Sequence, residues 1–552
     1  MKKESIIKYF IITTIAIMFI RLFQFQVLQH DYLSKKSIFN YLKEYKIRAP
    51  RGKITDRNGI ILADWRPSFR VLIIPKFLEE MDLQKLYTLF GTLDINIDTL
   101  RNKGSYIEIK RGLSFKDVIS ILEKGHEIRG LLIDADPVRI YSDNARFAAH
   151  LLGYVGEASK EELKKFKLDL GDYIGKNGIE RVYDSLLRGK DGYKFIALDS
   201  RGNIVDENPT LPIDPVQGKD IKLTIDINLQ VLADSLFGSF SRGAAFAFDI
   251  RNGEVYLLYS KPGYDPRDIL QNWNLYTSNP ERPLLNRCIQ GLYPPGSTFK
   301  LITTLVGLYT GNLNKDTKIN CSGGFNFGKR TWLCWRTEGH GTLDLEEAIA
   351  QSCNVYFNTV GARIGSGLFM EAIEKFNLPL KSSINLPGEY EVTIPLKRLL
   401  SKRVILPSSV VNWSIGQGEV QVTPIWLALI TGLIATNGKC PLPRLCQCEQ
   451  VQYAHLEIPQ EYFDIVKEGM RKVVETPGGT ASYLFDPKLK IAGKTGTAQN
   501  PHGKEHSWFT CFFPHDDPQF VVTVIVENAG HGSEVAAPIA FKIARRLLNE
   551  KH

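Results

Sequence analysis

The chain has 552 residues, too many for one hydrophobic core, so two or three domains are expected. Hydrophobic residues make up 43% and charged residues 23%, which is a globular composition and excludes a low-complexity protein. The net charge of +9 is thin over this length and gathers into no basic block, so no nucleic-acid partner is expected; near an anionic membrane or wall polymer it adds slight attraction.

In chain order, residues 1–5 are a short tail carrying Lys2 and Lys3. Residues 6–28 hold an uncharged run from Tyr9 to Ile20, then Arg21, then "LFQFQVL". A membrane span needs about 20 apolar residues, and 6–28 meet that if Lys8 and Arg21 reach toward the headgroups. A cleaved signal peptide is the alternative, but no small-x-small cleavage site follows. The reading is one uncleaved transmembrane anchor, with nearly all the mass on one side.

Residues 29–218 read as short mixed elements. "APRGKITDRNGIILA" (49–63) is two strand-like runs around Asn58-Gly59, a hairpin signal. "FRVLIIP" (69–75) is a strand, and "SFKDVISILEKG" (114–125) a helix ended by glycine. "IGKNGIERVYDSLLRGKDGYKF" (174–195) is a turn, a helix and a turn. This half shows no nucleophile motif. A cluster of prolines in "PTLPIDPVQGKD" (209–220) marks the boundary. From 219 to 552, strands at both ends flank a long helical middle, which predicts an α+β domain: an antiparallel sheet covered by helices.

The chemistry lies in that second half. "YPPGSTFK" (293–300) is a stiff turn leading into a helix, with Ser297 and Lys300 on one face. An amine beside the hydroxyl can take its proton when burial lowers the amine's pKa, and helix N-terminal N–H groups can hold an oxyanion. Alone, Ser-x-x-Lys reads most simply as a helix cap and a surface lysine. Two later segments change that. "QSCNVYF" places Ser352 and Asn354 at the head of another helix, and "AGKTGTAQ" (492–499) carries Lys494, Thr495, Gly496 and Thr497 in a strand. Gly496 lets a ligand backbone approach, and Thr497 could supply a second oxyanion N–H. The ordered triple S-x-x-K, S-x-N and K-T-G is the signature of penicillin-recognising serine acyltransferases.

The chain resembles the elongation-type class B penicillin-binding proteins, the penicillin-binding protein 2 group. The three motifs carry the resemblance, with "RAPRGKITDRNG", "GKNGIERVYDSLLRG" and "SIGQGEVQVTPIWLA" (414–428). It implies an elongated mixed α/β pedestal, a dimerisation-like domain, over 29–218. It implies a penicilloyl serine transferase fold with a helical subdomain over 219–552. The implied reaction is D,D-transpeptidation. Ser297 attacks the D-Ala-D-Ala carbonyl of a stem peptide, D-alanine leaves, and a neighbouring amine resolves the acyl-enzyme. Lys300 is the implied base, Ser352 a proton relay near Lys494, and Asn354 a hydrogen-bonder of the substrate amide. Lys494 and Thr495 are implied to bind the terminal carboxylate. Many elongation-type members carry aspartate where Asn354 stands. The resemblance also implies β-lactams as inhibitors, a SEDS-family glycan polymerase and elongation-complex scaffold proteins as partners, and a bacterial cytoplasmic-membrane location with the bulk outside. A β-lactam sensor or scaffold and a D,D-carboxypeptidase are the alternative readings.

The chemistry needs no cofactor, but the cysteines raise a metal. Cys321, Cys334, His340 and Cys353 make a three-cysteine, one-histidine set suited to structural zinc. Some elongation-type relatives hold a metal at matching positions. A disulfide with one spare thiol, or plain buried thiols, are the other readings. Cys440, Cys446 and Cys448 are left unassigned, and Cys288 and Cys511 are expected in the core.

Overall fold

The computed structural model describes residues 2–31, 33, 42–75, 78–90, 106–125, 128–198, 204–206, 212–401, 405–501 and 503–549. Part of the expected boundary, residues 209–211, lies outside these. The chain divides into two compact units that interleave along the sequence. One comprises Met1–Gly52, Trp65–Ile140 and Ser185–Lys219; the other comprises Lys53–Asp64, Tyr141–Asp184 and Asp220–His552. Two N-terminal stretches, 53–64 and 141–184, cluster with the larger unit.

The first unit begins with helix α1 (Lys2–Phe23), which runs on as a π-helical turn through Gln24–Leu28. Ile6–Leu28 is long and apolar enough to cross a membrane and is not buried by the rest of the chain. Strand β1 (Leu42–Ile47) and strands β5 (Gly192–Leu198) and β6 (Ile204–Asp206) form one antiparallel sheet, with β5 central. Strands β2 (Phe69–Ile73), β3 (Ile107–Leu113) and β4 (Leu131–Ala135) form another, with β2 in the middle. Helix α2 (Glu80–Phe90) and helix α3 (Phe115–Gly125) cover it. Leu86 packs with Ile73 and Ile128, and Val118 and Ile121 pack with Val71 and Leu113. Buried Asp136 is neutralised by Arg48 (3.1 Å) and Arg111 (2.6 Å), and buried Arg70 pairs with Asp134 (3.0 Å).

The larger unit is an α+β domain. Its two N-terminal stretches are held by specific polar contacts. Asp56 accepts the backbone N–H groups of Asn58 and Ile60 (both 2.8 Å), closing the expected turn at Gly59, and that of Ile227 (3.2 Å). The Arg57 guanidinium lies 3.5 Å over the Tyr256 ring. Tyr264 donates to the Ala149 carbonyl (2.9 Å) and His150 to the Pro283 carbonyl (2.7 Å).

After helix α4 (Ile227–Phe237) come strands β7 (Gly243–Asp249) and β8 (Val255–Lys261), joined through Asn252-Gly253. Strands β11 (Ala492–Ala498), β12 (His506–Phe513) and β13 (Phe520–Val526) come from the far end of the chain. The five align antiparallel in the order β8-β7-β13-β12-β11. Here β9 (Gly324–Phe327) and β10 (Arg330–Leu333) are a separate hairpin. β13 reads "FVVTVIV" and is buried at every position because helices cover both faces. On one face sits α8 (Pro424–Ala435), with Thr423 capping it through the Trp426 N–H (3.3 Å); on the other sit α4 and α10 (Ala536–Asn549). α8 is apolar all round and buried throughout, so it is a core helix of the domain. The helical middle adds α5 (Lys300–Tyr309), α6 (Leu345–Ala350), α7 (Asn354–Phe376) and α9 (Gln460–Glu475).

Candidate active site

Three elements converge on one cleft. The first is the turn before α5. Two prolines direct the chain into Gly296, whose φ of +55° suits a residue without a Cβ. A Cβ there would lie 2.6 Å from the Thr497 carbonyl oxygen, so the turn sits directly against β11. Ser297 lies in a single 3-10 turn, Gly296–Phe299, and the α-helix proper starts at Lys300. The sequence had suggested α-helix from Ser297. The tighter turn prevails because the Thr298 hydroxyl bonds back to the Pro295 carbonyl (2.9 Å) and Gly296 N–H donates to the Gly416 carbonyl (3.0 Å). Buried Phe299 in the turn and Leu301, Ile302, Leu305 and Leu308 in α5 seat both in the core.

The second element is the joint between α6 and α7. Asp344 and Glu347 form a capping box at the start of α6. Ser352 then takes a left-handed φ of +53°, strained for a serine, and Cys353 caps α7 by accepting the Tyr356 N–H at its sulfur (3.4 Å). The third element is β11, the edge strand. Gly496 pairs opposite Trp508, and a Cβ at Gly496 would lie 2.9 Å from the Thr298 side chain.

Lys300 joins the first two elements. It is fully buried, and its ammonium donates to the Ser352 carbonyl (2.8 Å), the Ser352 hydroxyl (3.3 Å) and Asn354 Oδ1 (2.8 Å). Burial brings the amine down to about 8, with the sulfurs of Cys353 and Cys334 opposing the fall. Lys494 is also fully buried, donates to the Thr495 carbonyl (3.2 Å), and is pushed well below the usual lysine range by burial and by the charge of Lys300. Thr495 exchanges a hydroxyl hydrogen bond with Thr480 (2.7 Å), and Thr497 accepts the Gly532 N–H (3.3 Å). The structure therefore brings Ser297, Lys300, Ser352, Asn354 and Lys494–Thr497 to one place.

Several supporting residues were not legible beforehand. Trp508 donates from its indole to the Pro294 carbonyl (3.0 Å), fixing the turn that carries Ser297 from the sheet side. Tyr293 donates to Glu527 (2.8 Å), which buried Arg287 also holds (2.7 Å). The Thr480 N–H donates to the Ala350 carbonyl (3.0 Å), tying the β11 edge to the segment before Ser352. None of these has a short-range motif; only their cross-strand or cross-loop partners reveal them. His506 starts β12 and is buried edge-on against Tyr293.

The ligand atoms of Cys321, Cys334, His340 and Cys353 all lie within 4.8 Å of one another. Cys321 Sγ and Cys334 Sγ are each 3.5 Å from His340 Nδ1, and all three cysteines are buried unbonded thiols. Cys353, between Ser352 and Asn354, is fully buried and turns its sulfur toward this cluster. Elsewhere, Cys446 and Cys448 form a disulfide, while Cys440, Cys288 and Cys511 are buried thiols.

Fold and site together define a serine acyltransferase of the penicillin-recognising class. A family model described as the penicillin binding protein transpeptidase domain matches residues 243–545, and one described as the penicillin-binding protein dimerisation domain matches 46–223. The peptidoglycan D,D-transpeptidases MrdA of Acinetobacter baumannii and Haemophilus influenzae are each 30% identical to the chain. The first match covers 93% of this chain and 82% of the relative; the second covers 97% and 90%. The solved complex of Helicobacter pylori PBP2 with MreC superposes with a TM-score of 0.81 at 28% identity, over 92% of this chain and 99% of that one. A peptidoglycan synthase complex that coordinates polymerization and crosslinking gives 0.73 at 28% identity, over 98% and 97%. The chain belongs to the penicillin-binding protein transpeptidase family.

Proposed function

We propose that this peptidoglycan D,D-transpeptidase works through Ser297 as nucleophile, with Lys300 as its base. The observation that carries the reading is the buried Lys300 amine, held one helical turn from Ser297 and bonded to Ser352 and Asn354. At about 8, the amine is poised to accept the Ser297 proton near neutral pH. Ser297 Oγ adds to the carbonyl of the penultimate D-alanine, and the peptide bond to the last D-alanine breaks. The proton passes to the leaving amine through Lys300 and Ser352. The N–H groups of Ser297 and Thr497 face the developing oxyanion. Asn354 holds the amide on the amino side of the acyl carbon, and Lys494 with Thr495 takes the terminal carboxylate. An acceptor amine then displaces Ser297 and leaves a cross-link; a β-lactam acylates the same hydroxyl and stays.

The set Cys321, Cys334, His340 and Cys353 fits zinc: three buried thiols and one half-buried imidazole bring their ligand atoms within 4.8 Å of one another, the donor set of a closed tetrahedral site. Bound there, the ion is structural and fastens the 321–353 segment behind Ser352. Ile6–Leu28 anchors the chain once in the bacterial cytoplasmic membrane, with the bulk outside. The relatives solved in complex with MreC, or in a peptidoglycan synthase complex, support a scaffold partner and a SEDS-family glycan polymerase for this chain.

The direct test is labelling of the full chain in detergent with a fluorescent penicillin, beside Ser297→Ala. A covalent band in wild type and none in the variant is expected. A band that survives Ser297→Ala places the nucleophile elsewhere.

A further inference from the structure

We infer that Leu333 and Trp335 form an apolar lip that selects the group attached to the acyl donor through the amide held by Asn354. The inference rests on the acyl-transfer reading above and adds a specificity determinant to it.

Around Cys334 the chain alternates as a strand does. Cys334 turns inward to the cysteine–histidine cluster and is 3% exposed; Leu333 and Trp335 turn outward and are 67% and 57% exposed. Scattered exposed apolar side chains are ordinary on a protein surface. This pair differs in being fastened to both sides of Ser352. The Leu333 carbonyl accepts from Asn354 Nδ2 (3.4 Å), and the Trp335 indole donates to the Gln351 carbonyl (3.1 Å). Trp335 also stands edge-on to the His340 ring at 5.2 Å. The hairpin behind them is pinned as well: the Trp332 indole donates to Asn412 (2.9 Å), and the Cys334 N–H donates to the Gly323 carbonyl (2.9 Å). The pair is thus held in place before any ligand arrives, so ordering it costs little on binding.

Asn354 Oδ1 is occupied by Lys300, and its Nδ2 faces the end of β10. A donor amide held by Asn354 therefore sends its substituent across Leu333 and Trp335. The chemistry that fits is aliphatic or aromatic: the methylenes of the residue preceding the penultimate D-alanine, or the acyl substituent of a penicillin. The cysteine–histidine cluster then has a second consequence, since it sets the position of the lip through Cys334.

The test compares second-order acylation rates for two penicillins with the same nucleus and the same amide. One carries a benzyl substituent, the other only a methyl. Trp335→Ala and Leu333→Ala are each expected to slow the benzyl compound by about tenfold while leaving the methyl compound within about twofold. Trp335→Phe is expected to keep most of the discrimination. Leu333→Ala carries the test if Trp335→Ala fails to fold. Equal losses with both penicillins, or no loss with either, overturn the lip. If neither penicillin acylates the wild-type chain, the acyl-transfer reading fails and the lip falls with it.

Discussion

At Lys300, one residue answers both a structural and a chemical demand. A buried lysine has to be hydrogen-bonded, and three acceptors from the Ser352–Asn354 segment satisfy it. The same burial lowers its pKa toward the range where it can act as a base. Lys300→Ala is expected to cut the acylation rate by fluorescent penicillin about a hundredfold to ten-thousandfold, the usual worth of a positioned general base. A variant that labels at the wild-type rate would remove Lys300 from the proton path. Gly496 makes a steric case at the same scale. An added Cβ would lie 2.9 Å from both the Thr298 and Trp508 side chains and 3.0 Å from the Pro295 carbonyl. Gly496→Ala is expected to lose about 1–3 kcal/mol of stability and to slow labelling by pushing the Ser297 turn off β11. Gly367→Ala, in helix α7 with nothing within 4 Å, is the control and is expected to leave labelling within error and to lose no stability, alanine gaining up to about 1 kcal/mol over glycine in a helix. Thermal melts and labelling rates on the same samples check the pair.

Among the elements, the segment from Cys321 to Gly341 is thinly packed. It contains two small hairpins and several exposed side chains, yet it abuts Ser352 and Asn354. The metal site proposed above would fasten this segment where apolar burial is thin. Elemental analysis of the reduced chain purified without chelators is expected to find about one zinc per chain. Cys321→Ser is expected to lower that content, and removing the metal to lower the melting temperature. Zinc-free protein of unchanged melting temperature would leave the four residues as buried thiols around a neutral histidine.

For the larger unit as a whole, acid stability follows from a buried histidine. His150 is almost fully buried, donates to the Pro283 carbonyl, and stands edge-on to Tyr264 with Arg287 nearby. Burial first, and then Arg287, pulls its pKa down to about 4 from 6.5. The folded state therefore holds it neutral where the unfolded chain is already protonated. Its contribution is present above pH ~6.5 and is lost as pH falls toward ~4, at about 1.4 kcal/mol per unit, on the order of 3 kcal/mol in all. Unfolding free energies of wild type and His150→Gln between pH 7 and 4 are expected to converge as the pH falls. Parallel curves would mean that His150 titrates alike in both states.

How much of this was readable beforehand divides by range. Short-range chemistry was legible: the apolar N-terminal stretch, the Asn58-Gly59 and Asn252-Gly253 turns, the glycine-ended helix at 125, and the three motifs that meet in the cleft. Each depends on residues within a few positions of one another, where backbone preference and hydrophobic period act directly. The four residues of the cysteine–histidine set were also visible as a pattern, because their ligand types are rare together. Contacts closed across hundreds of residues were not legible. Nothing near Pro294 indicates that Trp508 will hold it, and nothing near Asp56 indicates the Ile227 N–H it accepts. The interleaving of the two units has the same origin, since residues 53–64 and 141–184 join the larger unit through partners far along the chain. The sequence by itself determined the spacing within each of the three motifs and where the chain turns, because those are local properties of residue type and spacing. Only the tertiary structure decided that Lys300 is buried against Ser352 and Asn354, that Ser297 sits in a 3-10 turn, and that Leu333 and Trp335 face outward beside the cleft. Burial and long-range hydrogen bonds exist only once the whole chain has closed around them.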